Sequence, residues 1–116
     1  MQTQPDSEPR VALVTGGAKG IGAEVCARLA AAGHQVLVAD LDVAAAEATA
    51  LRLRAAGGHA VALTLDVGRS ESVAQAFEYV ERNFGRCDIL VNCAGIAKVF
   101  PFLDFPLDNF VASLAT

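Results

Sequence analysis

No apolar run in this 116-residue chain reaches the roughly 18 residues that a membrane-spanning helix needs. The longer runs are broken by Arg28, Asp40, Asp66 and Lys98, so no membrane partner is expected. The opening MQTQPDSEP lacks the apolar core of an export signal. It reads as a flexible arm over residues 1–9, and the chain is expected in the cytoplasm. Cysteine is scarce: Cys26, Cys87 and Cys93 form no CxxC pair, and each sits in an apolar run. All three are expected as buried, reduced thiols. His34 and His59 fall in expected loops as solvated turn residues, so no metal-ligand set is present. Blocks of like charge are missing too. The net charge of −4 is scattered, which leaves no basic face for nucleic acid or an anionic membrane.

What the chain does have is apolar material. With 53% hydrophobic residues it can fill the core of one compact domain, and disorder is excluded. Strands are predicted over Val11–Val14, Gln35–Ala39, His59–Leu65 and Cys87–Asn92. Helices are predicted over Ile21–Ala32, Val43–Ala56 and Ser70–Phe84, ended by Gly33, by Gly57 and Gly58, and by Gly85. In the first helix Ile21, Val25, Leu29 and Ala32 recur at helical spacing; in the third, Val73, Ala76, Phe77, Val80 and Phe84 share a face. The strands are apolar throughout rather than alternating, which argues for a parallel sheet covered on both faces. The fold class is therefore α/β: a Rossmann-type, doubly wound parallel sheet, present as its first βαβαβαβ half.

Between the first strand and the first helix lies TGGAKGIG, in which four of the seven residues from Gly16 to Gly22 are glycine. Glycine is a poor residue inside a helix or strand, so its concentration at a junction needs a reason. At the first strand-to-helix turn of a doubly wound sheet, glycines permit a sharp turn and let backbone approach a pyrophosphate. The helix that follows points free N–H groups and its positive dipole end at the anion. A glycine-rich turn with no ligand is the competing reading.

The spacing, Gly16-x-x-x-Gly20-x-Gly22, differs from GxGxxG. Together with Asn92-Cys93-Ala94-Gly95 after the fourth strand, it closely resembles the short-chain dehydrogenase/reductase family, which carries TGxxxGIG and NNAG at these places. Cys93 stands at the second Asn of NNAG, a small buried position where little functional harm is expected. The resemblance covers residues 10 to 116 and implies an NAD(P)-binding domain over that range. It also implies a hydride exchange between nicotinamide and an alcohol or carbonyl substrate, and a homo-oligomer for the full-length protein. The implied cofactor-binding residues are Gly16, Lys19, Gly20, Ile21, Gly22, Asp40, Leu41, Asp66, Val67, Asn92, Ala94 and Gly95.

Within that set, Asp40 ends the second strand, where a carboxylate accepts hydrogen bonds from ribose hydroxyls and repels a 2′-phosphate; it favours NAD. Its competing role is a solvated turn residue. Lys19 pulls towards NADP, because a cation in the turn helps to hold a phosphate. The resemblance implies that Asp66 reaches the adenine amino group and the Val67 N–H its ring, with a helix N-cap as the other reading for Asp66, although Ser70 is the better cap candidate. By the same resemblance Asn92 is expected to tie neighbouring strands through its amide, and Ala94 and Gly95 to keep backbone close to the nicotinamide ribose.

The family's chemistry uses a Tyr-x-x-x-Lys pair with a preceding Ser and a structural Asn. None of that tetrad is expected here. The sole tyrosine, Tyr79, lies inside the third helix and is followed four residues later by Asn83. Phe110 sits where the family has Trp, and the family's Asn would fall one position past Thr116. The loop 96–106 would line one side of a substrate pocket, where its aromatics suggest apolar contact. The chain is thus read as a fragment, inactive alone, that supplies the cofactor half of an oxidoreductase. The alternatives are a nucleotide-binding module without turnover and an interaction protein that binds no nucleotide.

Overall fold

Val11–Thr15, five consecutive buried residues, forms β1, and the rest of the sheet is built around it. The computed structural model describes residues 9–94. In chain order they form β1, α1 (Gly20–Ala31), β2 (Gln35–Asp40), α2 (Val43–Ala55), β3 (His59–Thr64), α3 (Ser70–Phe84) and β4 (Ile89–Asn92). The expectations for Gly95, for the loop 96–106 and for Phe110 lie outside the described residues, as do those for all but the last residue of the arm.

Every pairing is parallel, in the order β3-β2-β1-β4. The chain therefore steps outwards through β2 and β3, then crosses back to the other side of β1. The gap between β1 and β4 is the topological switch point, outside whose carboxyl end such sheets bind ligands. Alternate side chains feed two cores. Val14, Val36 and Val38 pack with Cys26, Ala30, Ala46, Ala50 and Leu53 of α1 and α2. Leu13, Leu37 and Ala39 pack on the opposite face with Val73, Ala76 and Val80 of α3. Leu13 and Leu37 are wholly buried, and each such burial stabilises by about 1.5–3 kcal/mol. This two-sided covering is why the strands read as unbroken apolar runs.

The structure corrects four local expectations. First, α1 buries Gly22, Cys26 and Ala30, one position round from the expected stripe, while Val25 and Leu29 are half-buried and Ile21 is 66% exposed. Small residues on the inner face let the helix lie close to the sheet, and the bulky Ile21 turns outwards. Second, the N-cap of α3 is Arg69, with no side-chain cap bond, and Ser70 is the first helical residue. A turn closed by Arg69 N–H donating to the Asp66 carbonyl (3.0 Å) starts the helix one residue early. Third, Cys87 is exposed, because β4 begins only at Ile89 and leaves Cys87 in the preceding loop; Cys93 is half-buried. Fourth, His34 is half-buried rather than solvated, its Nδ1 accepting the Arg10 N–H at 3.0 Å. His59 is exposed, as its position suggests.

The thiols accordingly differ in reactivity. Burial, and secondarily the neighbouring Cys93, push the Cys26 thiol up to about 12, far from the thiolate form that reacts. Iodoacetamide in mildly alkaline buffer should modify Cys87 first and reach Cys26 only in denaturant. Peptide mass spectrometry reads the order, and early labelling of Cys26 would contradict this core.

Candidate functional site

Parallel register brings the carboxyl ends of three strands to one level: Thr15 pairs with Ala39 on one side and with Asn92 on the other. The chain leaves β1 through Gly16, whose φ of +66° suits glycine alone. A Cβ on Gly16 would also lie 2.8 Å from the Ala94 backbone nitrogen. A Cβ on Gly22 would fall on the Gly16 carbonyl oxygen. The first turn of α1 is therefore packed directly against the turn that precedes it.

The turn is held by bonds to β2 and α2. Gly17 N–H donates to the Ala39 carbonyl at 3.0 Å. Ala18 N–H donates to Asp40 Oδ2 at 3.1 Å, and the Ala18 carbonyl accepts from Thr49 Oγ1 at 2.8 Å. Thr49 is buried on the inner face of α2. The other Asp40 oxygen, Oδ1, accepts the Asp42 N–H at 3.0 Å. The Asp40 carboxylate thus staples the glycine turn to the β2–α2 loop. At the third loop, Thr15 Oγ1 donates to Asn92 Oδ1 at 2.7 Å and accepts from Ala94 N–H at 3.3 Å. One buried hydroxyl thereby fixes the segment after β4.

At the start of α1, Lys19 is the N-cap without a side-chain cap bond, and no acid lies in the first turn. No side chain competes there for the leading N–H groups, which suits an anion. The Lys19 ammonium turns aside to Asp42 Oδ2, 3.2 Å away. Asp42 also caps α2 by accepting the Ala45 N–H at 3.1 Å. That bond first, and Lys19 second, hold its carboxyl below the usual carboxylate range.

A groove of about 340 Å³ opens between the segments that follow the four strands, lined by Gly16, Asp40, Leu41, Leu65, Asp66, Val67, Cys93 and Ala94. It brings together six of the residues singled out from the sequence. Lys19, Gly20, Ile21 and Gly22 follow Gly16 around the turn and do not line the groove, and Asn92 is turned to Thr15. Asp66 is half-buried, with Oδ1 accepting the Gly68 N–H at 2.9 Å, and its own N–H donates to Ser72 Oγ at 2.9 Å. Two other hollows lie at the amino-terminal edge of the sheet, one beside Phe77 and Cys87 and one between α1 and α2. Neither is near the switch point.

The sequence profile of the short chain dehydrogenase family matches residues 10–116. The chain belongs to that family. Its members are oxidoreductases that use a nicotinamide dinucleotide. Relatives include an uncharacterised oxidoreductase of Bacillus subtilis, 44% identical over 101 residues, covering 87% of this chain and 39% of the relative. D-threitol dehydrogenase of Mycolicibacterium smegmatis is 40% identical over 106 residues, covering 91% of this chain and 41% of the relative. Among solved structures, a hydroxysteroid dehydrogenase from Escherichia coli superposes with a TM-score of 0.76 at 30% identity, covering 96% of this chain and 49% of that one. The chain thus spans about two fifths of the length of these curated relatives. Among the described residues, no helix is long and apolar enough to cross a membrane, and no group of His, Cys, Asp or Glu could hold a metal.

Proposed function

We propose that this chain supplies the dinucleotide-binding half of an NAD(P)-dependent oxidoreductase acting on an alcohol or carbonyl, with NAD preferred. The observation that carries the reading is the glycine turn: it is braced by β2 and α2, followed by a helix start free of side-chain caps, and set beside a groove at the switch point. The cofactor supplies hydride chemistry when bound; the protein supplies position. The leading N–H groups of α1 hold the pyrophosphate, and Gly16 and Gly22, where a Cβ would meet backbone, let the turn close against α1 and the segment after β4. Asp40 has spent one site on each oxygen, so lone pairs remain for the ribose hydroxyls. Leu41, 67% exposed at the groove mouth, and Val67 cover the adenine faces, and Asp66 accepts from its amino group. The Ala94 backbone, pinned by Thr15, borders the nicotinamide ribose.

No residue of this chain is proposed as proton donor. Tyr79 packs on Phe84, ring centroids 6.3 Å apart, and no lysine follows it at four positions. The second reading is a module that binds the nucleotide without turnover. Titration with NADH, followed by nicotinamide fluorescence, tests the shared part of both. Saturable enhancement is expected, and a flat titration overturns the binding site. Oxidation of NADH by the full-length protein, with a panel of ketoses and other carbonyls, then separates the two readings.

A further inference from the structure

Lys19 and Asp40 make opposite demands on a ribose phosphate, and both are tied to Asp42 in the β2–α2 loop. The Asp42 backbone N–H donates to Asp40 Oδ1 at 3.0 Å, while the Asp42 side chain holds the Lys19 ammonium at 3.2 Å. The cation best placed to meet a phosphate beside Asp40 is therefore already engaged by a carboxylate two residues further on. We propose that Asp42 is a second determinant of cofactor preference: by restraining Lys19, it keeps that cation from rewarding a 2′-phosphate. The inference rests on the dinucleotide reading above and deepens it.

Three features support a restraint rather than a chance contact. Asp42 is itself fixed, since the same carboxylate accepts the Ala45 N–H at the start of α2. Lys19 is anchored at its backbone as the N-cap of α1, so its ammonium swings about a fixed root. The two loops are stapled together by Asp40, which preserves the separation across which the pair forms. Both side chains are well exposed, at 69% and 47%, and exposed pairs are weak. Asp42 is therefore a bias added to the direct repulsion by Asp40, not a lock. Breaking the pair frees a positive charge for a group that carries nearly two negative ones.

The test is a double-mutant cycle on the full chain, with NADH and NADPH as probes and the ratio of their dissociation constants as the readout. Asn caps a helix about as well as Asp, so Asp42→Asn removes the charge while α2 keeps its start. Asp42→Ser is a second capping variant, and circular dichroism checks that both retain helix. Each should move the ratio towards NADPH by about fivefold. In a Lys19→Met background the same changes should move it by less than about twofold, because no cation is left to release. An unchanged ratio in both capping variants overturns the inference. So does a shift that survives intact in Lys19→Met, which would make Asp42 a simple repelling charge. If the unmodified chain binds neither probe, the dinucleotide reading itself falls, an outcome distinct from either.

Discussion

Gly22→Val is expected to abolish nucleotide binding, weakening NADH by at least about 100-fold (roughly 2.7 kcal/mol), while most of the helix signal survives. Gly22 is buried on the inner face of α1, and a Cβ there would fall on the Gly16 carbonyl oxygen and come within 3.0 Å of the Gly17 Cα. These are backbone atoms, which cannot rotate away as a side chain would. Gly16 has little freedom to move, because the turn is tied to β2 through the Gly17 and Ala18 N–H groups. Relief must come from lifting the first turn of α1 off the glycine loop, which displaces the N–H groups that would hold the pyrophosphate. The remainder of α1 stays anchored through Cys26 and Ala30. Overpacking of this kind costs about 1–3 kcal/mol, so the melting midpoint should drop by several degrees without loss of the fold. NADH titration and far-ultraviolet circular dichroism read the two effects separately. Wild-type affinity in Gly22→Val would remove the phosphate cradle from this loop.

Asp40→Ser should narrow the gap between NADH and NADPH by about 10- to 30-fold, from both sides. A carboxylate about 4 Å from a phosphate that carries nearly two charges costs on the order of 2 kcal/mol even in water-like surroundings. Serine removes that repulsion. It also removes acceptors for the ribose hydroxyls and at least one of the two backbone bonds that Asp40 makes to Ala18 and Asp42. NADH binding should therefore weaken while NADPH binding strengthens. Paired titrations of the two nucleotides measure the ratio. If the unmodified protein already binds NADPH as tightly as NADH, Asp40 is not the discriminating group.

The elements were legible because the rules that set them are local or periodic. A strand covered on both faces has no polar face to show, so VALVT and QVLVAD stand out against Ala-rich and charged helices. The glycine spacing marked the turn for the same reason: a φ of +66° at Gly16 leaves the sequence little choice. Of the braces, only Asn92 was marked in the sequence, as the tie between strands that the resemblance implies; its partner was not. Thr15 reaches Asn92 across 77 positions and Thr49 reaches Ala18 across 31, and nothing in a linear pattern couples such pairs. Thr49 did leave a trace, as the polar residue on the face of α2 that otherwise buries Ala46, Ala50 and Leu53. The pairing of Lys19 with Asp42 left none, since Lys19 reads as a phosphate ligand and Asp42 as an ordinary exposed charge. The rotated stripe of α1 was hidden because hydrophobicity alone puts Ile21 inside, whereas close approach to the sheet selects Gly22, Cys26 and Ala30.

The level alignment of Thr15, Ala39 and Asn92 has a consequence for how such a chain diversifies. The height at which each loop departs is set by ladder bonds inside the sheet and owes nothing to the loop's own side chains. Leu41 can thus be exchanged without shifting the glycine turn or the segment after β4, whereas Asp42 also caps α2 and holds Lys19. The loops behave as separate fittings on a common rail. Selection, or an engineer grafting the β2–α2 loop from a relative, is able to retune one contact at a time while the strands keep their register.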